Sequence, residues 1–277
     1  MKRIFILMAG ICVALSGFAQ TDTTVIKKEG DTIKVGNMII IKKGNSGDSD
    51  GEVRINRRKS NYRSSNISTN WAIFDLGFAN FRDETNYAMA QSQGFVDQKI
   101  GEDQFDLRTG KSVNVNIWFF MQRLNVVKHV VNLKYGLGLE LNNYRFSDDI
   151  RFLKNPTKVI LMEHPDSTYK KNKLAADYIT VPFMVNFNFT PRREQGFGLS
   201  VGASAGYLYS ARQKFKGGPG GKFKEHDDFD LRRWKISYIG ELQLGPVKLY
   251  GSYATQSMFE KSLEMTPYNV GIRFSNW

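Results

Sequence analysis

The sequence predicts an all-β fold: an eight-stranded antiparallel transmembrane β-barrel with short periplasmic turns and long extracellular loops, preceded by a flexible N-terminal periplasmic segment. Three observations predict it. Apolar and polar residues alternate over eight segments from Trp71 onward, the connections between those segments alternate long and short, and the one continuous apolar run lies at the N-terminus. No later run approaches the roughly 18 apolar residues of a membrane helix.

The chain opens "MKRIFILMAGICVALSGFAQ", where Lys2 and Arg3 form a basic region, Ile4 to Leu15 an apolar region, and Gly17 and Ala19 a small-residue cleavage site. Residues 1–19 therefore read as a secretory signal peptide. Cys12, inside that leader, is the only cysteine, so the mature chain would hold neither a disulfide nor a thiolate metal site. Residues 20–69 are rich in Lys, Asp, Gly, Ser and Asn and carry the basic stretch "RINRRKSNYR". They read as a flexible basic periplasmic segment, in which "TVIKKEGDTIKVGNMIIIKK" has the turn signals of one small hairpin.

Residues 70–277 read as the barrel. Its segments are "WAIFDLGFANF", "SVNVNIWFFMQ", "VVNLKYGLGLELNNYRF", "YITVPFMVNFNF", "FGLSVGASAGYLY", "WKISYIGELQL", "VKLYGSY" and "YNVGIRF". In the second, Val113, Val115, Ile117, Phe119 and Met121 are assigned to one outward face. The third runs longer than the usual five or six residues of a soluble strand, because a tilted strand needs about 9 to 11 to cross the hydrocarbon. Long connections at 82–111, 147–174, 212–231 and 255–267 alternate with short ones at 123–128, 190–196 and 245–246. An even number of strands with that asymmetry puts both termini in the periplasm of an outer-membrane protein.

The small face of the fifth segment, Gly198, Ser200, Gly202, Ser204 and Gly206, is too slight for an ordinary solvated surface and suits the lumen of a narrow barrel. The aromatic and aliphatic face then meets lipid, with Trp234, Tyr207, Tyr209, Tyr253 and Tyr268 at one interface and Phe187, Phe189 and Phe274 at the other. The same phase points Asp75, Lys134, Glu140, Glu241, Lys248 and Arg273 inward as a lumen charge network. The two-residue turn at Gly245 and Pro246 sets Glu241 diagonal to Lys248, and closure of the first strand on the last brings Asp75 near Arg273. Buried charges in such a lumen are expected to be paired.

The net charge of +12 would suggest nucleic acid for a cytosolic protein. Export excludes that partner and substitutes outer-membrane lipid and lipopolysaccharide phosphates as counter-charges. Lys216, Lys222 and Lys224 in "FKGGPGGKFK" form a candidate anion-contacting loop, although the spacing departs from that of a nucleotide phosphate loop. Two histidines deserve a catalytic test, His226 beside Asp227 and Asp228, and His164 near Asp166 and Ser167. Sequence neighbours rarely converge on one point, so both read as solvated loop residues, and His129 as structural beside a turn. No catalytic, cofactor or metal residue is assigned. A surface protease or acyltransferase is kept as the alternative to a non-enzymatic anchor with a closed lumen.

"KSVNVNIWFF", "YGLGLELNNYRF", "NKLAADYITVPFMVNFNF" and "DFDLRRWKISYIGELQLGPVKLYGSYA" resemble the outer-membrane β-barrel domain family common in Bacteroidota. That resemblance covers roughly residues 71–277 and implies insertion by the barrel-assembly machinery. One branch of the family holds a barrel involved in type IX secretion, which implies an envelope or secretion-complex protein as a partner.

Overall fold

The computed structural model describes residues 65–162, 169–191, 196–218 and 221–275, together with three short strands, Thr32–Val35 (β1), Met38–Ile41 (β2) and Asn56–Arg57 (β3). The chain divides into two units, Met1–Arg63 and Ser64–Trp277. In the first, β1 and β2 pair antiparallel from Thr32 opposite Ile41 to Val35 opposite Met38, and β3 adds to β2. The expected hairpin thus carries a third strand. The leader lies outside the described residues.

The second unit contains β4 (Ile67–Asp83), helix α1 (Tyr87–Ser92), β5 (Val113–Val127), β6 (Val131–Phe146), β7 (Ile150–Phe152), β8 (Val159–Leu161), β9 (Lys171–Asn188), β10 (Phe197–Gly218), β11 (Gly221–His226), β12 (Trp234–Leu244), β13 (Val247–Ala254) and β14 (Met265–Phe274). Eight of these form a closed antiparallel ring in the order β4, β5, β6, β9, β10, β12, β13, β14, with β14 returning to β4. Closure leaves no unpaired edge in the ring. Leu244 faces Val247 across a two-residue turn, where Gly245 takes φ 62°, as the twist of such a hairpin demands.

Each of the eight ring strands coincides with one of the eight alternating segments, and the alternation sorts the two faces. Phe74, Leu76, Phe78, Val181, Phe183, Ile236, Tyr238, Val270 and Ile272 stand exposed on the outside, while Asn, Ser, Gly and charged residues fill the inside. A water-soluble monomer seldom exposes so continuous an apolar belt. One stretch departs from the expected phase. The β4–β5 ladder skips Ala72 and Phe119, Ala72 has φ 54°, and the β5–β6 register shifts between Trp118 and Phe120. A bulge of this kind flips every following side chain to the other face. Met121, assigned to the outer face from the pattern, is therefore inside, packed with Ile73, Trp118 and Met184.

The long connections fold into a second core over one end of the barrel. Phe152 on the β7–β8 hairpin stacks on Phe259 at 5.7 Å and contacts Phe229, Phe146 and Phe105 at 6.0, 6.1 and 6.4 Å. Ala90 of α1, Val96 and Ile100 from the first connection join the same cluster. Isolated bridges, Leu107 to Phe146 and Leu231 to Phe259, tie the connections down. This end is called the cap, and the end with the short turns the turn end. Lys216, Lys222 and Lys224 were assigned to a loop, but β10 continues to Gly218 and pairs with β11, so all three sit on strands.

Candidate functional site

The inward face of the ring brings the six assigned charges into the barrel, each no more than 6 % exposed. Arg273 on β14 lies directly opposite Asp75 on β4, because the seam pairs Phe274 with Phe74 and keeps that register upward. Its Nε and Nη2 donate to the two Asp75 oxygens, both at 2.7 Å, and its Nη1 donates to Glu241 at 2.5 Å. Lys134, across the lumen on β6, donates to the other Glu241 oxygen at 2.6 Å and to Ser200 Oγ at 3.1 Å. Trp118 Nε1 and Asn116 Nδ2 complete the Asp75 carboxylate at 2.7 and 3.1 Å. Four charges thus form one hydrogen-bonded chain, the arrangement that makes buried ions tolerable.

Glu140 heads a second group. Lys235 on β12 forms an ion pair with it, and Asn142 and Asn269 donate to it at 3.1 Å. Asn114 links the groups, donating to Asn116 at 3.1 Å and Asn142 at 2.9 Å while accepting from Tyr250 Oη at 2.5 Å. Lys248 departs from the expected arrangement. It is diagonal to Glu241 on the sheet, as Gln243 pairs with Lys248, yet its Nζ donates to the carbonyl and hydroxyl of Ser275 at 3.2 and 2.5 Å. Glu241 already holds Arg273, which reaches it past β13, and Lys134, which reaches it across the lumen from β6.

Aromatic rings fill most of the space the charges leave. Trp118, Tyr178 and Tyr250 point inward, and Arg273 lies over Trp118 and Tyr250 at 5.4 and 5.9 Å from their ring centres. Inner glycines make room for them: a Cβ on Gly138 would come within 2.7 Å of the Trp118 ring, and one on Gly77 within 2.6 Å of the Tyr250 hydroxyl. The void lined by Asn116, Trp118, Glu140, Met184, Tyr250 and Arg273 measures about 30 Å³. That is room for a water molecule or two.

Sequence reasoning missed Lys235, Trp118 and Tyr250. Lys235 stands in the inward phase of "WKISYIGELQL" and was available to the same argument that found Glu241. Trp118 and Tyr250 are aromatic residues at inward positions, which alternation assigns to polar side chains, and only their indole and phenol polar tips mark them.

The catalytic alternative finds little in this geometry. His226 lies at the end of β11 in the open, where slight desolvation and then the charges of Lys224, Arg212 and Lys154 hold its pKa below the ordinary 6.5. Asp227 and Asp228 accept from the backbone amides of Asp228 and Asp230 within the turn, at 2.9 and 3.4 Å. His164, Asp166 and Ser167 lie outside the described residues. His129, with φ 58°, sits in the β5–β6 turn, its amide donating to Asn125 Oδ1 at 2.6 Å. Among the described residues no group of three or more His, Cys, Asp or Glu could hold a metal ion.

Residues 78–255 match the family model described as "Outer membrane protein beta-barrel domain". No curated protein sequence matches the chain. A solved mutant porin of Rh. blastica aligns with 76 % of this chain and 99 % of its own, at 10 % identity and a TM-score of 0.18, too remote a likeness to bear on the fold. The family model spans well over half of the chain and covers the core of a closed ring with an apolar outer belt and a charged interior. The chain belongs to the outer membrane protein beta-barrel domain family.

Proposed function

We propose that this protein is a non-enzymatic outer-membrane anchor with a closed lumen, its cap facing outward and both termini in the periplasm, where the cap presents surface for a ligand or an envelope protein partner. The observation that carries this reading is the filled interior. Ion pairs and aromatic rings cross the lumen, and the void they leave between Asn116, Trp118, Glu140 and Arg273 has room for a water molecule or two. An eight-stranded barrel is just wide enough for side chains to fill it. The cap supports presentation: its aromatic core holds the long connections as a folded layer instead of loose polar tails.

Orientation and display are tested with single cysteines, since Cys12 is the only native one. Lys222→Cys on the β10–β11 hairpin should react with a membrane-impermeant maleimide on intact cells, and Pro246→Cys in the two-residue turn should react only after lysis. The reverse pattern would invert the topology and remove the surface role.

A further inference from the structure

Above the belt, on the outward side of three adjacent strands and the neighbouring β6, the cations line up in cross-strand register. Arg145 on β6 faces Lys173 on β9, Lys173 faces Lys214 on β10, and Lys214 faces Lys224 on β11. One step toward the hairpin tip, Lys171 faces Lys216, and Lys216 faces Lys222. Residues in direct register share a face, and so do residues two apart on one strand. The seven side chains therefore form two stacked rows on a grid of about 5 Å between strands and 7 Å along them.

The outward assignment follows from what alternates with the rows. Asn172, Leu174, Gln213 and Phe215 are buried on the inner side, so Lys171, Lys173, Lys214 and Lys216 point out. The rows continue the lipid-facing belt: on β9, Lys171 and Lys173 are in phase with Ile179, Val181 and Phe183, and on β10 the register shift between Leu208 and Ser210, which skips Tyr209, brings Arg212 and Lys214 to the face of exposed Tyr207. Like charges directly opposite one another repel and destabilise a sheet. Among the described residues, the one acid ion-paired with this outward face is Asp177, held by Arg212 just below the rows. Glu225, on the opposite face of β11, pairs with Arg151 instead. A neutral or single-charge partner would leave most of this repulsion in place.

We propose that these two rows, Arg145–Lys173–Lys214–Lys224 and Lys171–Lys216–Lys222, are a docking surface for the phosphate groups of lipopolysaccharide packed against the barrel wall. Position and charge select this occupant together. The surface begins where the apolar belt ends, at head-group depth, and it is flat and outward, so a lipid beside the barrel can lay its acyl chains on the belt and its phosphates on the rows. The proposal rests on the orientation given above, which puts the cap in the outer leaflet. The rows bind as a surface, without covalent chemistry.

The test uses the purified full-length protein in detergent, offered lipid A, the same lipid A after enzymatic removal of its phosphates, phosphatidylglycerol, or inorganic phosphate, with bound lipid read by native mass spectrometry. Lipid A should be retained at least tenfold more than its dephosphorylated form and more than phosphatidylglycerol, and inorganic phosphate should not displace it. The triple variant Lys171→Gln, Lys214→Gln, Lys216→Gln should lose retention roughly a hundredfold, each cation near an anionic surface being worth about fivefold. Lys111→Gln, Lys128→Gln, Lys158→Gln, three lysines off the rows, should retain it. An unchanged gel-mobility shift on heating shows that each variant barrel is folded. Equal retention by the parent and the Lys171→Gln, Lys214→Gln, Lys216→Gln variant, or of lipid A with and without phosphate, would overturn the proposal. Retention of phosphatidylglycerol equal to that of lipid A would overturn the assignment to lipopolysaccharide. Because this measurement has no inside or outside, the maleimide labelling judges the orientation separately.

Discussion

Arg273 binds two carboxylates at once, and that makes it the most exposed point of the interior to mutation. Truncation would leave Asp75 and Glu241 short of their shared cation in a space too small to admit solvent freely. Removing one partner of a buried pair costs roughly 3–5 kcal/mol, because the surviving charge is stranded. Arg273→Ala should therefore lower the unfolding free energy in detergent by about that amount, measured by denaturant titration with intrinsic tryptophan fluorescence. A loss below about 1 kcal/mol would mean that the chain of ion pairs contributes little. The seam pair was legible in part: alternation turns Asp75 and Arg273 inward, and they meet at one level when Trp71 is set about opposite Trp277, a register that the pairing of Phe274 with Phe74 keeps. The partners of Glu241 and Lys248 were not. Lys134 reaches Glu241 from the far wall of the barrel, and contacts across a lumen depend on barrel closure, which no local pattern encodes.

At the scale of the strand, the eight segments were readable because a face in lipid and a face in a crowded lumen enforce period two. Two features escaped that rule. The bulge at Ala72 and Phe119 has no signature in "WAIFDL" or "IWFFMQ", where apolar residues follow one another and either phase looks acceptable. The strand extensions into the cap were hidden by composition, since "ARQKFKGG" is polar on the outward side and reads as a connection although β10 runs through it. Gly138, in the inward phase of β6, and Gly240, in the outward phase of β12 between exposed Tyr238 and Leu242, give the strand-level test. A Cβ on Gly138 would lie 2.6 Å from the Ile117 carbonyl oxygen and 2.7 Å from the Trp118 ring, whereas one on Gly240 would meet only the Ser200 carbonyl oxygen at 3.9 Å. Gly138→Ala should destabilise the barrel by about 1–3 kcal/mol through overpacking, and Gly240→Ala should stay within about 0.5 kcal/mol of the parent. Equal effects in heat-dependent gel mobility and denaturant midpoint would show that ring packing against the inner wall is not close.

For the molecule as a whole, an even ring of eight strands, an apolar belt and a filled interior make one argument: the wall holds the protein in the outer membrane, and the lumen closes it. Charge and aromatic bulk share the closing. The ion pairs bridge β4, β6, β12 and β14, and the rings of Trp118, Tyr178 and Tyr250 occupy what remains, beneath a cap with its own aromatic core. The closed lumen is tested most directly by reconstituting the pure protein in planar bilayers and recording single-channel current under voltage. The account predicts a quiet baseline for the parent, and for Arg273→Ala as well, because losing one side chain leaves the rings and the cap in place. Steady, large unitary conductance from the parent protein would contradict it.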